Sequence, residues 1–548
     1  MSVQVNLPAR TAATDLTGPT GPQGDKGDPG GNVLSVGLFT AGSTFTIPAG
    51  TDLVQTSGHG SVGIGRARYA YDATVDAAYV TANPYSSFRD ATGRGFKLNE
   101  ERPSLHMFGA RGDGATDQSA RINAWISYLA ANGKAGVWNR DTAAWRTQTV
   151  VFQNNTHFSI EPNSTIEAAS GAVRVFQLSA VSNCSVIAGP NVTVDGRSIT
   201  TSNVCHMVGA TNIWLQGLNV KGSGSGKDAF YVGNKDGTTT GYCERVRLIN
   251  CTGDVAGRNT LSIVSCVDFY ALGCDFKGAG TAPGAGCDIE ANSFNDIIRR
   301  ITFEKCRFHD NTNWGAVVEF GTDITFIDCD VYNNGNGGIG VANGGNALQS
   351  GFRRANYEIV AITAVDMTVG KLTVSSTANL RAGMLISLAT RGTGVLPTGL
   401  TATRYMIYAV TGSDIYVWAT NTSGQITSFS SNGSGTLTSD PETSEIYALV
   451  YSDDSSGKVK IQNCRIYGNN QTTINGEVYV ATSSDVTVEN CLISATVAGA
   501  YGVNCTYGRK LRIRHNHIIS TAATGIAQGI HFGLCSDVVE EGNSVRGF

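Results

Sequence analysis

Charge is scarce in this chain. Only 15% of its 548 residues are Asp, Glu, Lys or Arg, and 40 basic against 44 acidic side chains leave a formal balance of −4. Without a basic excess there is no electrostatic footprint for nucleic acid. No run approaches the 18 apolar residues of a helical membrane span, so membrane insertion is not expected. The opening MSVQVNLPARTAATDLT has no apolar centre of the kind a secretory signal carries. There is also no Cys-x-x-Cys pair. The thirteen cysteines are odd in number and are missing before Cys184 and between Cys329 and Cys464. That placement argues against a disulfide framework or a metal cluster. What the chain has in quantity is glycine, 67 residues, and short β-rich runs separated by Asn, Gly and Asp.

Eight of those runs align: VRLINCTG from Val246, FYALGCDF from Phe269, ITFEKCRF from Ile301, ITFIDCDV from Ile324, VKIQNCRI from Val459, VTVENCLI from Val486, LRIRHNHI from Leu511 and VVEEGNSV from Val538. Their sixth positions are Cys251, Cys274, Cys306, Cys329, Cys464, Cys491, Asn516 and Asn543. A period of about 25 residues, with alternating β-rich runs and turn residues between, is the signature of a parallel β-helix. One coil cannot bury its apolar face alone, so stacked coils share a continuous core. The cysteines then form a ladder of reduced, buried thiols that pack as small hydrophobes.

The step from Cys329 to Cys464 is 135 residues, one coil plus an excess. The excess, about residues 346–445, has β patterns of its own (KLTVSS, GMLISLAT, YMIYAV, DIYVWAT) and is expected to be a small all-β module inserted in a coil turn. Upstream, HMFGARGDGATDQSARINAWISYLAANGKAG (residues 106–136) sets a tight turn at Gly112-Asp113-Gly114 before a helix capped by Thr116 or Asp117. Ile122, Trp125, Ile126 and Leu129 share one face of that helix. Such a helix would cover the open end of the solenoid and its unpaired strand edge.

FGARGDGATDQSARINAWI closely resembles the opening motif of the pectate-lyase-like β-helix superfamily, as found in phage tailspikes. The chain departs from the family in continuing with GVWNRDTAAWRT in place of a Pro-Gly-Thr-Tyr-like stretch. The resemblance covers roughly residues 104–345 and 446–548, and implies an all-β, right-handed parallel β-helix. LPTGLTATRYMIYAV, in the insertion, resembles an accessory β module of phage and surface proteins, with glycan binding or packing both open as its role. Within the family, trimeric tailspikes hold three β-helices side by side. A parallel homotrimer would account for Gly18-Pro19-Thr20, Gly21-Pro22-Gln23, Gly24-Asp25-Lys26 and Gly27-Asp28-Pro29, four triplets with the glycine period of a collagen helix. A flexible linker is the other reading of that stretch. The expected organisation is an attachment segment with these triplets over 1–33, a neck over 34–103, the β-helix over 104–345, the inserted module over 346–445 and the last coils over 446–548.

Candidate chemistry lies in GTAPGAGCDIEANSFND (residues 280–296). With Ile289 pointing inward, Asp288 and Glu290 point outward together, about 7 Å apart. One coil on, GAVVEFG aligns Val318 with Ile289 and Glu319 with Glu290, about 4.8 Å away. Three carboxylates so close cannot all ionise easily, and one pKa should rise. A protonated acid beside a carboxylate is the pairing that glycosidic cleavage uses, with both stereochemical outcomes open at these spacings. Arg258, Asn259, Asn292, His309, Asn313 and Trp314 would bind sugar around them, Trp314 by stacking. Solvated surface charge or a structural cation is the alternative for the carboxylates.

Resemblance and cluster together imply a phage tailspike, located in the virion and attached to the tail or baseplate through its N-terminus. It would bind and hydrolyse a bacterial capsule, exopolysaccharide or lipopolysaccharide. Hydrolysis calls for no cofactor. A polysaccharide lyase, for which a divalent cation is possible, and a glycan-binding fibre without activity are the alternatives.

Overall fold

The computed structural model describes residues 33–222, 224, 226–238, 240–292, 296–319, 321–342, 357–366, 369–377, 385–390, 404–420, 426–427, 444–449, 459–481, 485–506, 508–522, 528–533 and 535–548. The collagen-like triplets lie outside the described residues. Two compact units divide at Glu100 and Glu101. In the first, five strands pair in one mixed sheet, Leu34–Leu38 parallel to Leu53–Gly58 and the others antiparallel. Its core is aromatic: Phe39, Tyr69, Phe88 and Phe96 pack with ring centroids 5.3–5.9 Å apart.

The second unit is a parallel β-helix. Three parallel sheets of 12, 12 and 11 strands run its length, and the chain visits them in turn. The eight aligned runs are consecutive strands of the first sheet, in the register their alignment dictates. Val246 pairs with Phe269, Phe269 with Ile301, Ile301 with Ile324, Ile324 with Val459 and Val459 with Val486. The pairing of Ile324 with Val459 shows the stack resuming in step after the insertion.

The repeat has a stereochemical cause at the corner between the first two sheets. Asn250, Gly273, Lys305, Asp328, Asn463, Asn490, His515 and Gly542, each just before the ladder position, have φ between 49° and 63°. A left-handed residue makes a sharp corner, at roughly 1–3 kcal/mol where a Cβ is present, and Asn, Asp and Gly tolerate it best. The next side chain is driven inward: Cys251, Cys274, Cys306, Cys329, Cys464 and Cys491 are buried and free. At a second corner an asparagine ladder satisfies the buried backbone. Asn311 Nδ2 donates to Asn334 Oδ1 (2.9 Å), and Asn334 Nδ2 to Asn469 Oδ1 (2.7 Å). Asn469 Nδ2 then donates to Glu477 Oε2 (2.6 Å). Glu477 is fully buried, and burial pushes its carboxyl up to about 7.

Helix Ser119–Asn132 buries Ile122, Trp125, Ile126 and Leu129. Trp125 lies against Trp138 and Phe158 of the first coils, centroids 6.2 and 5.2 Å away. The cap differs from expectation. The helix begins at Ser119, and Asp117 accepts that residue's amide (2.9 Å) and hydroxyl (3.0 Å), while Thr116 belongs to the turn held by Asp113. GVWNRDTAAWRT supplies the first strands of two sheets, Ala135–Trp138 and Trp145–Thr147.

Between Tyr357 and Leu449 the described residues form seven antiparallel strands, six of which close on themselves while Ile426–Thr427 pairs only with Asp414–Thr420. The order of the six is Lys371–Val374, Tyr357–Asp366, Ser444–Leu449, Leu385–Thr390, Arg404–Thr411 and Asp414–Thr420, and the last pairs back to the first. The third sheet carries the candidate site. Six successive strands of it are β1 (Phe230–Gly233), β2 (Leu261–Ile263), β3 (Cys287–Ile289), β4 (Trp314–Val318), β5 (Gly337–Ala342) and β6 (Gly476–Ala481).

All thirteen cysteines are free, and only Cys535 is less than buried. Maleimide labelling of the native protein should therefore add at most one adduct by mass, against thirteen after denaturation. Fewer than thirteen in denaturant without reductant would reveal disulfides and contradict the thiol ladder.

Candidate active site

On β3 the side chains alternate about Ile289, which is fully buried, and the register across the coils is the one expected, Ile289 opposite Val318. Glu290 and Glu319 follow these two residues. The Glu290 amide donates to Ile263 O (3.2 Å) and the Glu319 amide to Ile289 O (2.9 Å), so both carboxylates leave the wall at the same point of successive coils. Both are half-buried.

Asp288 departs from its expected place on the outer surface: it is only 2% exposed. Its Oδ2 accepts from Asn259 Nδ2 (2.9 Å), and Arg258 Nη2 lies 3.9 Å away. Its Oδ1 is buried with no hydrogen-bond partner. Burial, joined by the charge of Glu290 and against the pull of Arg258, pushes the Asp288 carboxyl up to about 8; Glu319 and Asp228 add to the rise. Burial and like charge thus favour the neutral carboxylic acid, as they do for buried carboxyls generally.

Arg258 and Asn259 occupy the turn between the second sheet and β2, but they play different parts. Arg258 is half-buried, its Nε 3.1 Å from Asp228 Oδ1. Asn259 is fully buried, which corrects its expected contact with sugar. It donates to Asp288 and to Ser262 Oγ (3.1 Å) and accepts from the Ala285 amide (2.9 Å), and so fastens Asp288 to the coil before it. Asn313 is also turned to a structural task, donating to Pro283 O (2.8 Å) and bracing the turn ahead of β3. His309 is not brought to the carboxylates. It stands on the second sheet, with Nε2 2.8 Å from Asp275 Oδ1, Nδ1 2.6 Å from Asp310 Oδ2 and its ring stacked on Tyr332 at 4.5 Å. Burial opposes its protonation, but the two carboxylates outweigh it and raise its pKa. Asn292 is exposed and hydrogen-bonded to Tyr231. Trp314, at the start of β4, is half-buried and stacks on Tyr479 (5.9 Å, 27°).

Sequence reasoning missed Asp228 and Tyr231. Asp228 is buried, and besides Arg258 it receives the Asn259 amide (3.1 Å); burial raises its pKa against both. Tyr231 pairs with Ser262, which pairs with Asp288, in one outward column. Aligning KDAFYVG one coil before RNTLSIV, as the cysteine runs were aligned, would have found both. Among the described residues no group of three His, Cys, Asp or Glu is arranged to hold a metal ion.

Residues 404–544 match the family model described as a right handed beta helix region. No curated protein matches the chain. Among solved structures, the A-module of a mannuronan C-5 epimerase of Azotobacter vinelandii aligns at 13% identity and TM-score 0.42, over 81% of this chain and 97% of that one. A tailspike of Acinetobacter baumannii bacteriophage Fri1, described as a capsular polysaccharide depolymerase, aligns at 12% identity and TM-score 0.44, over 77% and 96%. The catalytic unit of an α-1,3-glucanase of Streptomyces thermodiastaticus aligns at 11% identity and TM-score 0.43, over 83% and 73%.

A protonated Asp288 should give an infrared carboxylic-acid carbonyl band at pH 6–7 that fades as pH rises through about 8. The band should be missing from the difference spectrum of Asp288→Asn. Identical spectra for parent and variant at pH 6 would contradict the assignment.

Proposed function

We propose that the protein is a tailspike-type depolymerase that binds a bacterial surface polysaccharide and cleaves its glycosidic bonds by hydrolysis. The observation that carries this reading is a buried carboxylic acid behind two accessible carboxylates on the wall of a β-helix. Cleavage needs one group to give a proton to the leaving oxygen and a second to activate water or attack the anomeric carbon. Glu290 and Glu319 are the two that a sugar can touch. Burial and the neighbouring charge of Glu290 favour the protonated form of Asp288 behind them. Arg258, held by Asp228, offers donors to a hydroxyl of the substrate. No cofactor enters this chemistry. In the same reading the chain works in a phage virion at the host surface, as a parallel homotrimer joined to the tail or baseplate through residues 1–33.

The test is a reducing-end assay on a panel of purified capsular, extracellular and lipopolysaccharide glycans. One member should be cut. Glu290→Gln and Glu319→Gln should each slow turnover by about 100-fold or more while binding of that glycan persists. Activity should fall as pH rises through about 8, where Asp288 loses its proton, and Asp288→Asn should remove that alkaline limb. Unchanged turnover in both glutamine variants would overturn the site. Ultraviolet absorbance of an unsaturated uronate product would mean a lyase, and binding without any product a receptor fibre.

A further inference from the structure

The outward column of the third sheet continues past the carboxylates. Asp288 pairs with Val317, Val317 with Gly340, and Gly340 with Tyr479. At Gly340 the column is empty of side chain, and Trp314 fills the gap from the coil before. A Cβ on Gly340 would lie 3.2 Å from Cε3 and Cζ3 of the indole, and one on Gly337 would lie 2.4 Å from Cζ3. Neither glycine has the left-handed φ that would call for glycine on backbone grounds. At Gly340 only the indole needs the space, whereas at Gly337 a Cβ would also meet Gly476 O at 2.9 Å. The ring therefore rests on bare backbone at one coil and meets Tyr479 on the next, 5.9 Å away and 27° from parallel.

A large aromatic that only filled the core would point inward. This one lies on the outer wall, against Gly340 of the outward column, and is half-buried. His206 and Tyr231, earlier in the same column, stand on paired positions of neighbouring coils and stack on each other at 5.1 Å and 5°. Trp314 and Tyr479 are set two coils apart, with glycine between.

We propose that Trp314, laid across Gly337 and Gly340, and Tyr479 on the next coil form a stacking subsite for one pyranose ring of the glycan, beside the carboxylates. The subsite rests on the glycan-binding reading above and adds to it a sugar whose apolar face is bare of axial hydroxyls. Gly340 is two coils beyond Asp288, about 10 Å along the axis, so the stacked ring is a neighbour of the one being cut. The aromatic face supplies the affinity and the CH groups of the sugar meet it, as aromatic rings take apolar surface. Tyr479 comes from beyond the insertion in sequence, so the shelf depends on the coils resuming in step at β6.

The probe is the glycan of the panel that is cut or, if none is cut, the one the protein retains. Trp314→Ala and Tyr479→Ala should raise KM for it about tenfold with kcat within twofold, and Tyr479→Phe, which keeps the ring, should raise KM less than Tyr479→Ala does. Gly340→Val keeps the indole but lifts it, and should match Trp314→Ala in KM and lose the glycan-induced change in tryptophan fluorescence. Binding is measured in parallel in the Glu319→Gln background, and thermal unfolding checks that each variant is folded. A folded Trp314→Ala that binds and cuts as the parent does overturns the subsite while leaving the carboxylate assignment standing. A parent that binds without cutting, with binding lost in Trp314→Ala, upholds the subsite and sinks the hydrolase.

Discussion

Everything in the second unit depends on one constraint: neighbouring coils must hydrogen-bond as parallel strands in fixed register. Side chains alternate with a period of two, so a slip of one residue would turn every core group outward. The buried columns forbid that slip. Phe269, Ile301, Ile324, Val459 and Val486 are at most 2% exposed and lie directly over one another. Once the columns are fixed, residues about 25 to 30 apart in sequence become neighbours at strand spacing, and the chemistry on the wall follows from the packing inside it.

The same constraint explains how the solenoid carries an insertion of more than a hundred residues. The closed ring of six antiparallel strands satisfies its own backbone pairings, as a closed sheet does. The coil it interrupts resumes with Ile324 on Val459, and the asparagine ladder passes directly from Asn334 to Asn469. β5 precedes the interruption and β6 follows it, yet Ile339 pairs with Val478 as though nothing stood between them. Glu477, eight residues past Asn469 in the same coil, ends the ladder with a buried carboxyl that accepts from both Asn469 and Asn470.

Much of this was legible in the sequence, and for stated reasons. The cysteine positions gave away the coil because the corner before each needs a left-handed residue and the position after it a small buried one. The face of the helix Ser119–Asn132 followed from its 3.6-residue period. Register across β3 and β4 followed from matching Ile289 with Val318. The depth of Asp288 was not legible. It depends on Asn259 and Arg258 being folded down over it by the turn ahead of β2, which has no periodic signal. The side of the solenoid on which His309 stands was missed for a related reason. Closeness in sequence to Glu319 suggested closeness in space, but a corner intervenes and turns the imidazole toward Asp275. The first four strands of the first sheet escaped notice because they lack the cysteine that marks the later ones.

Register, then, is the claim on which the site stands. Its most direct measurement is a disulfide between positions 29 apart in sequence: Glu290→Cys with Glu319→Cys, oxidised mildly and mapped by mass spectrometry. Adjacent coils bring the two Cα atoms to about 4.8 Å, inside the range of roughly 4.4–6.8 Å that a disulfide spans. Rapid, near-complete formation of that bridge is expected in the folded protein, and none when Glu319 is left in place and cysteine is put at Asp323 instead. A folded double variant whose two new thiols stay unlinked would contradict the stacking of the carboxylates.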